Sequence, residues 1–306
     1  MDELKLVERL RSEVPADIDV TGAENRWRRR AYGGPVRRRR PLLLSGVAAA
    51  ACAGVVATFL AGHREPGRTA EVAAVLDRAA DRAAAGPAPR ADQIVYQEIV
   101  TRRRVGGTGR WYEVRTRTWL PAGGAGSGLV IEKNSVRPRP GEELPPDGES
   151  VVGPCPASPP IERPYLGALP TDTGALLDLL ADQGEGDRGD RQWAAASDLI
   201  DRPAPPRVRA ALYRAIAEIP GVRLRDDGVD AAGRHGVAVT RTRDGVRDEL
   251  VFDRESHRFL GTRDVVAGKG GPFGAPGTTT QSSALLDTAI VDRAPLPGPD
   301  ATPSGC

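Results

Sequence analysis

The chain has 306 residues, which is enough for one or two domains with a hydrophobic core. Its 43 basic residues nearly balance its 41 acidic residues. Such a chain has no strong overall positive field that would draw it to DNA or RNA. We therefore expect no nucleic-acid partner.

The N-terminal tail shows a helical period. Its apolar side chains recur at steps of three and four residues, and Pro15 ends the run. A helix of about 14 residues is only marginally stable alone. Two interpretations stay open, a disordered leader or a helix that docks on a cytoplasmic partner through Leu4, Val7, Leu10 and Val14.

An apolar stretch follows the tail. Residues 41–62 are 22 residues without a charge. As a helix they would span about 33 Å, which matches a hydrocarbon core of about 30 Å. We predict a transmembrane helix here, in contact with the lipid bilayer.

Arginines set the predicted orientation of this helix. Few basic residues follow the stretch, whereas seven arginines cluster before it: Arg28, Arg29, Arg30, Arg37, Arg38, Arg39 and Arg40. The positive-inside rule then predicts a cytoplasmic tail at residues 1–40 and an extracytoplasmic C-terminal region. A cleaved signal peptide is the alternative, but the long leader and the long apolar stretch favour a retained anchor in the cell membrane.

The exported region reads as an α+β domain. A juxtamembrane helix or linker at residues 63–92 precedes the domain at residues 93–294. Within the domain, residues near 134–160 are rich in Pro, Gly and Glu and are predicted to form a poorly ordered loop. Residues 295–306 are predicted to form a flexible tail.

Two strands open the domain, at residues 93–105 and 109–121, joined by a Gly-rich hairpin. In the second strand, one face combines two tryptophans with three charged residues: Trp111, Glu113, Arg115, Arg117 and Trp119. This pattern fits a binding surface, but a half-covered sheet face explains it more often.

Three helical segments and an antiparallel meander complete the domain. The helices lie near residues 171–182, 192–200 and 205–220, with Thr171 as a candidate N-cap. Period-two segments joined by short turns then run from residue 222 to residue 266. Strands, helices and strands in that order predict an antiparallel sheet with helices packed on one face.

Three cysteines are present. Cys52 lies in the apolar stretch, while Cys155 and Cys306 lie in Pro-, Gly- and Ser-rich segments. A Cys155–Cys306 disulfide is a candidate if the domain is exported, because disulfides persist outside the cell. An unpaired or mixed state stays open from the sequence alone.

Catalytic and cofactor motifs are weak. Residues 184–189 match the glycine pattern of dinucleotide sites, but they do not follow a strand, and their acidic side chains would repel a pyrophosphate. The three histidines, His63, His235 and His257, lack the spacing of a zinc site. We therefore expect no cofactor, no metal and no enzyme activity.

Several segments resemble one family. They are the acidic leader with its Arg-rich run and apolar span, and the blocks Leu169–Leu180, Arg209–Leu224, Asp230–Val239 and Glu249–Val266. With these the chain resembles an uncharacterised group of actinobacterial membrane-anchored proteins, often encoded beside RNA polymerase sigma factors. The resemblance implies one span and an exported α+β domain, and it implies no catalytic residue.

Two functions are compatible with this organisation. The first is a membrane-spanning regulator or sensor, with a tail that holds a sigma factor or another cytoplasmic protein. The second is an anchored envelope module whose sheet binds a lipid or another apolar ligand.

Overall fold

The computed structural model describes residues 69–104, 110–137, 147–268 and 274–304, together with residues 139, 140, 142 and 144. The chain divides into two compact units, Met1–Ala61 and Gly62–Cys306. The predicted tail helix, the arginine cluster, the apolar span and Cys306 all lie outside the described residues. Within the described part of the chain, no helix has the length and apolar character needed to cross a bilayer.

Four helices lie in the described residues: α1 (Ala70–Ala84), α2 (Thr173–Ala181), α3 (Arg188–Leu199) and α4 (Pro206–Glu218). Side chains cap the first three, because the Thr69 hydroxyl and the Asp172 and Asp187 carboxylates accept from backbone N–H groups of the first turn. Asp172, and not the predicted Thr171, therefore caps α2. Proline at the first position of α4 has no N–H to leave unpaired.

Ten strands form one sheet. They are β1 (Ile94–Arg104), β2 (Trp111–Pro121), β3 (Gly128–Asn134), β4 (Gly148–Val152), β5 (Arg223–Val229), β6 (His235–Arg243), β7 (Val246–Phe252), β8 (Phe259–Val266), β9 (Thr279–Val291) and β10 (Thr302–Ser304). Their order is β10-β4-β3-β2-β1-β9-β8-β7-β6-β5. All neighbours are antiparallel except β10 and β4, so the predicted α+β class with a mostly antiparallel sheet is confirmed.

The two faces of the sheet differ in what covers them. Opposed residues on paired strands share a face, and faces alternate along each strand. Gln97 of β1 donates to the Asp201 carbonyl after α3 at 2.7 Å, which identifies the face beneath the helices. We call this face the helix side and the opposite face the outer side.

The main core lies between the helices and strands β5 to β8. Side chains from all four helices join Val237, Val239, Leu250 and Phe252, which share the helix side by the strand register. Phe252 lies at its centre, with ring contacts to Tyr213 of α4 at 5.4 Å and to Phe259 of β8 at 5.7 Å. The helices therefore bury their apolar stripes against this half of the sheet.

Two segments predicted to be irregular contain strands. Gly148–Val152 forms β4 within the predicted loop, and Thr302–Ser304 forms β10 within the predicted tail. Both strands are too short to show a period, and they gain their hydrogen bonds from β3 and from each other. Tertiary pairing, and not local propensity, makes them strands.

The link from β9 to β10 crosses the outer side. Because β10 lies beyond β4 in the strand order, residues 292–301 run past β1 to β4 to reach it. The Glu149 carboxylate of β4 accepts from the Gly298 N–H at 2.6 Å and holds this link.

Two of the three predicted turns of the meander are confirmed, at residues 244–245 and 254–257. The third prediction, a turn at residues 226–228, is wrong, because these residues lie within β5 at an irregularity in its pairing with β6. Asp244 and His257 have positive φ, at 49° and 55°, and each lies in the turn between two strands. A left-handed backbone at His257 gives that residue a conformational role.

Phe252→Ala should remove the centre of the core. We expect the free energy of unfolding to fall by about 3–5 kcal/mol, because the substitution removes two ring contacts and the buried area of a phenyl group and leaves a cavity. Urea denaturation of the full chain, followed by circular dichroism, measures this. The control is Leu296→Ala, whose side chain is 93% exposed and whose effect should stay within about 0.5 kcal/mol. Equal losses in the two variants would contradict this assignment of the core.

Candidate functional site

A row of polar side chains crosses the helix side of the sheet. In register, Arg103 of β1 faces Gln281 of β9, Gln281 faces Asp264 of β8, Asp264 faces Asp248 of β7, and Asp248 faces Arg241 of β6. We call these five residues the polar row. It runs along the edge of the apolar core, and two carboxylates stand side by side at its centre.

Helix α3 covers one end of the row. Its indole Trp193 Nε1 donates to Asp248 Oδ2 at 3.1 Å. Near the start of the same helix, Asp190 pairs with the Arg241 guanidinium, which also donates to the Pro220 carbonyl at 3.0 Å. The polar row therefore connects α3 to the sheet through one hydrogen bond and one ion pair.

Burial and mutual repulsion shift the two central carboxyl groups. Each residue keeps some exposed area, but protein atoms surround the carboxyl group itself. Burial, followed by the nearby charge of Asp248, raises the pKa of Asp264 to about 7. Burial also raises the pKa of Asp248, against the opposing effect of the Trp193 hydrogen bond.

Other charges face the pair from the neighbouring elements. Asp198 of α3 and Glu249 of β7 add negative charge, while Arg103 of β1 and Arg243 of β6 add positive charge. Among the described residues, the buried Arg103 Nε has no hydrogen-bond partner. Since the attractive charges do not offset burial, Asp264 retains its proton to a higher pH than an exposed aspartate.

A third carboxyl group lies just after α3. Burial, with a smaller contribution from Asp198, raises the pKa of Asp201 to about 6. The backbone carbonyl of Asp201 holds Gln97 of β1. Carboxyl groups with raised pKa values therefore lie both beneath α3 and just after its C-terminal end.

The arrangement is suited to holding a proton near neutral pH. A perturbed carboxyl pair also occurs in acid–base sites. In the described part of the chain, no group of three His, Cys, Asp or Glu side chains is arranged to hold a metal ion. The site can therefore change its charge beneath a helix.

The predicted aromatic face of β2 lies on the outer side. Trp119 is 9% exposed and packs on Tyr96 at 5.0 Å, while Trp111 contacts the guanidinium groups of Arg104 at 5.1 Å and Arg102 at 5.6 Å. One tryptophan is thus covered and the other is partly exposed. The half-covered interpretation describes Trp119.

Cys155 is disulfide-bonded. The two other cysteines, Cys52 and Cys306, lie outside the described residues. Nearby, the Gly153 N–H donates to the Ser304 carbonyl of β10 at 3.5 Å. This contact brings the chain two residues before Cys306 next to the chain two residues before Cys155.

Comparisons with known proteins identify no family for this chain. No protein-family model matches the sequence. No curated protein sequence matches it either.

Sequence reasoning missed the polar row. Asp248 shares its face with Leu250 and Phe252, and Asp264 shares its face with Val266. The alternation of apolar and polar residues along β7 and β8 therefore contained a signal, because an aspartate occupies a position where this alternation predicts an apolar residue. Its partner Trp193, 55 positions away along the chain, carried no such signal.

Asp264→Asn should make the stability of the chain less dependent on pH. Between the ordinary aspartate pKa near 4 and the folded value of about 7, the folded state holds a proton that the unfolded state releases. Wild-type stability should therefore fall as pH rises through this window, by roughly 2–4 kcal/mol at about 1.4 kcal/mol per pKa unit.

Urea denaturation of the full chain between about pH 4.5 and about pH 8 measures this difference. Asp264→Asn should remove the part of the fall that Asp264 contributes, leave the part due to Asp201 and Asp248, and be more stable than wild type at the alkaline end. The matched control is Asp287→Asn, an exposed strand aspartate on the neighbouring β9. If Asp264→Asn and Asp287→Asn leave the same pH profile, Asp264 does not hold the proton.

Proposed function

We propose that this chain is a single-pass membrane regulator that responds to proton activity outside the membrane and controls a cytoplasmic partner such as a sigma factor. The observation that carries the proposal is the Asp248–Asp264 pair beneath α3. Asp264 gains or loses its proton near neutral pH, in the range over which the pH outside the membrane varies.

A change of charge at this pair alters how α3 sits on the sheet. While Asp264 is protonated, Asp248 keeps its Trp193 contact and the repulsion between the carboxyl groups is small. Above the pKa of Asp264, that carboxyl group carries a negative charge beneath the helix, close to Asp248 and Asp198. Like charges in a partly buried site destabilise the packing, so α3 should loosen as pH rises.

A packed route leads from α3 towards the N-terminus. Trp193 of α3, Ile216 of α4 and Leu76 of α1 belong to one buried cluster. Helix α1 begins at Ala70, a few residues after the predicted span at residues 41–62. A two-state packing of α3 therefore has a route of contacting side chains to the segment nearest the anchor.

The cytoplasmic half of the proposal rests on the sequence. The apolar stripe Leu4, Val7, Leu10 and Val14 offers a helix-in-groove ligand, and the resemblance to membrane proteins encoded beside sigma factors supplies the class of partner. The arginine cluster before residue 41 supports the orientation that this mechanism requires.

The alternative, an anchored module that binds a lipid or another apolar ligand, has less support. It requires apolar surface that a ligand can reach. In the part of the chain that the structure describes, Leu296 is the single large hydrophobic residue that is exposed. We therefore favour the proton-responsive regulator.

Cross-linking in cells tests the proposal. Cells expressing the full chain are held at an external pH of about 6 or about 8, which brackets the pKa of Asp264. Proteins cross-linked to the chain are then identified by mass spectrometry. We expect a sigma factor or another regulator whose recovery changes with pH in wild type and not in Asp264→Asn.

Two controls make the test specific. Deletion of residues 1–25 should abolish recovery of the partner at both pH values, since the tail stripe is lost. Asp287→Asn should keep the wild-type response. Recovery of the same proteins with and without residues 1–25 would refute a tail-bound partner. A pH response that persists in Asp264→Asn would refute the carboxyl pair as the sensor.

We propose further that the disulfide partner of Cys155 is Cys306, as the export of this domain would permit. The Gly153–Ser304 hydrogen bond brings the two chain segments together, and two residues extend at most about 7 Å. Peptide mapping of the unreduced full chain should yield a peptide joining Cys155 to Cys306. The same cross-link should persist in Cys52→Ser, whereas a Cys155–Cys52 peptide would contradict the pairing.

A further inference from the structure

An arginine-lined groove lies on the outer side of the sheet, at the edge formed by β5, β6 and β7. Its volume is about 490 Å³. The side chains that face into it share one face by the strand register, and they are Arg223, Arg225, Thr240, Thr242 and Arg247. We call it the edge groove; these side chains face away from the helix side, and the groove meets the polar row at Arg241 alone.

The strand register builds this groove. Arg223 of β5 faces Thr240 of β6, and Thr242 of β6 faces Arg247 of β7. The exposed Thr242 hydroxyl therefore stands between guanidinium groups of the flanking strands, while the buried Thr240 hydroxyl donates to the Arg223 carbonyl at 3.4 Å. This is a donor-rich cradle on a rigid sheet.

The charge of the groove is not neutralised by its own acids. Arg225 pairs with Asp227 at 3.0 Å. Arg247 and Arg263 share the buried Glu249 carboxylate, with Nε–oxygen distances of 2.7 Å each. Three arginines thus share two carboxylates.

Arg223 supplies the excess charge. Its side chain is exposed, and among the described residues its guanidinium has no hydrogen bond or ion pair. Arg241 also lines the groove, but its guanidinium is held by Asp190 and by the Pro220 carbonyl. An incoming anion would therefore meet one free guanidinium and the unused donors of two paired ones.

We propose that the edge groove binds a phosphate group, presented either by a soluble phosphate or by the headgroup of an anionic phospholipid. Guanidinium forks match phosphate oxygens in a bidentate manner, and the Thr242 hydroxyl can donate to a remaining phosphate oxygen. The edge groove is polar, because arginine and threonine provide the side chains that would contact the ligand.

Calorimetric titration of the full chain in a non-ionic detergent tests this proposal. The probes are inorganic phosphate and glycerophosphoglycerol, a phosphodiester headgroup without acyl chains. We expect saturable binding of at least one probe, weakened about tenfold or more in Arg223→Gln, because a charge-assisted contact is lost. Arg223→Lys should lie between the two, since it keeps the charge and loses the fork.

The matched control is Arg207→Gln, which removes the same charge from an exposed residue in the first turn of α4, at the far end of that helix from Gly221. This variant should bind as wild type does. Binding of phosphate alone would identify a soluble ligand, and tighter binding of the phosphodiester would identify a lipid headgroup. The proposal fails if neither probe binds saturably, if Arg223→Gln binds as wild type does, or if Arg207→Gln weakens binding equally.

Discussion

The pairing of β1 with β9 is the constraint on which the rest of the domain depends. β1 lies near the start of the domain and β9 near its end, yet their ladder joins the two halves of the sheet. Without it, β1 to β4 and β5 to β8 would be two separate meanders. The polar row also crosses this ladder, at Arg103 and Gln281, so the site exists only once both halves have met.

Because this ladder joins the two halves into one sheet, each half carries different features on the two faces of that sheet. Strands β5 to β8 bury the helices on one face and carry the edge groove on the other. Strands β1 to β4 carry the aromatic and arginine side chains of the outer side, together with the link from β9 to β10. A single sheet thereby presents a charge-sensitive surface beneath its helices and donor-rich surfaces on the face turned away from them.

Local sequence signals were sufficient for most elements and insufficient for the site. The helices and the meander followed from apolar periods, Pro206 and the turn residues, because these signals act over a few positions. β4 and β10 were missed because their hydrogen bonds come from distant partners. The pairing of Asp248 with Asp264 depends on the β7–β8 register, and that of Asp248 with Trp193 depends on where α3 docks; neither is encoded within one segment.

The Trp193–Asp248 contact has a spectroscopic consequence. Indole emission is sensitive to charge and hydrogen bonding at its N–H group, and Trp193 donates that group to a carboxylate of the titrating pair. Trp111 and Trp119 lie on the opposite face, beside arginines and Tyr96. The molecule therefore contains its own optical reporter for the state of the site, one that needs no label and that leaves the packing of α3 undisturbed.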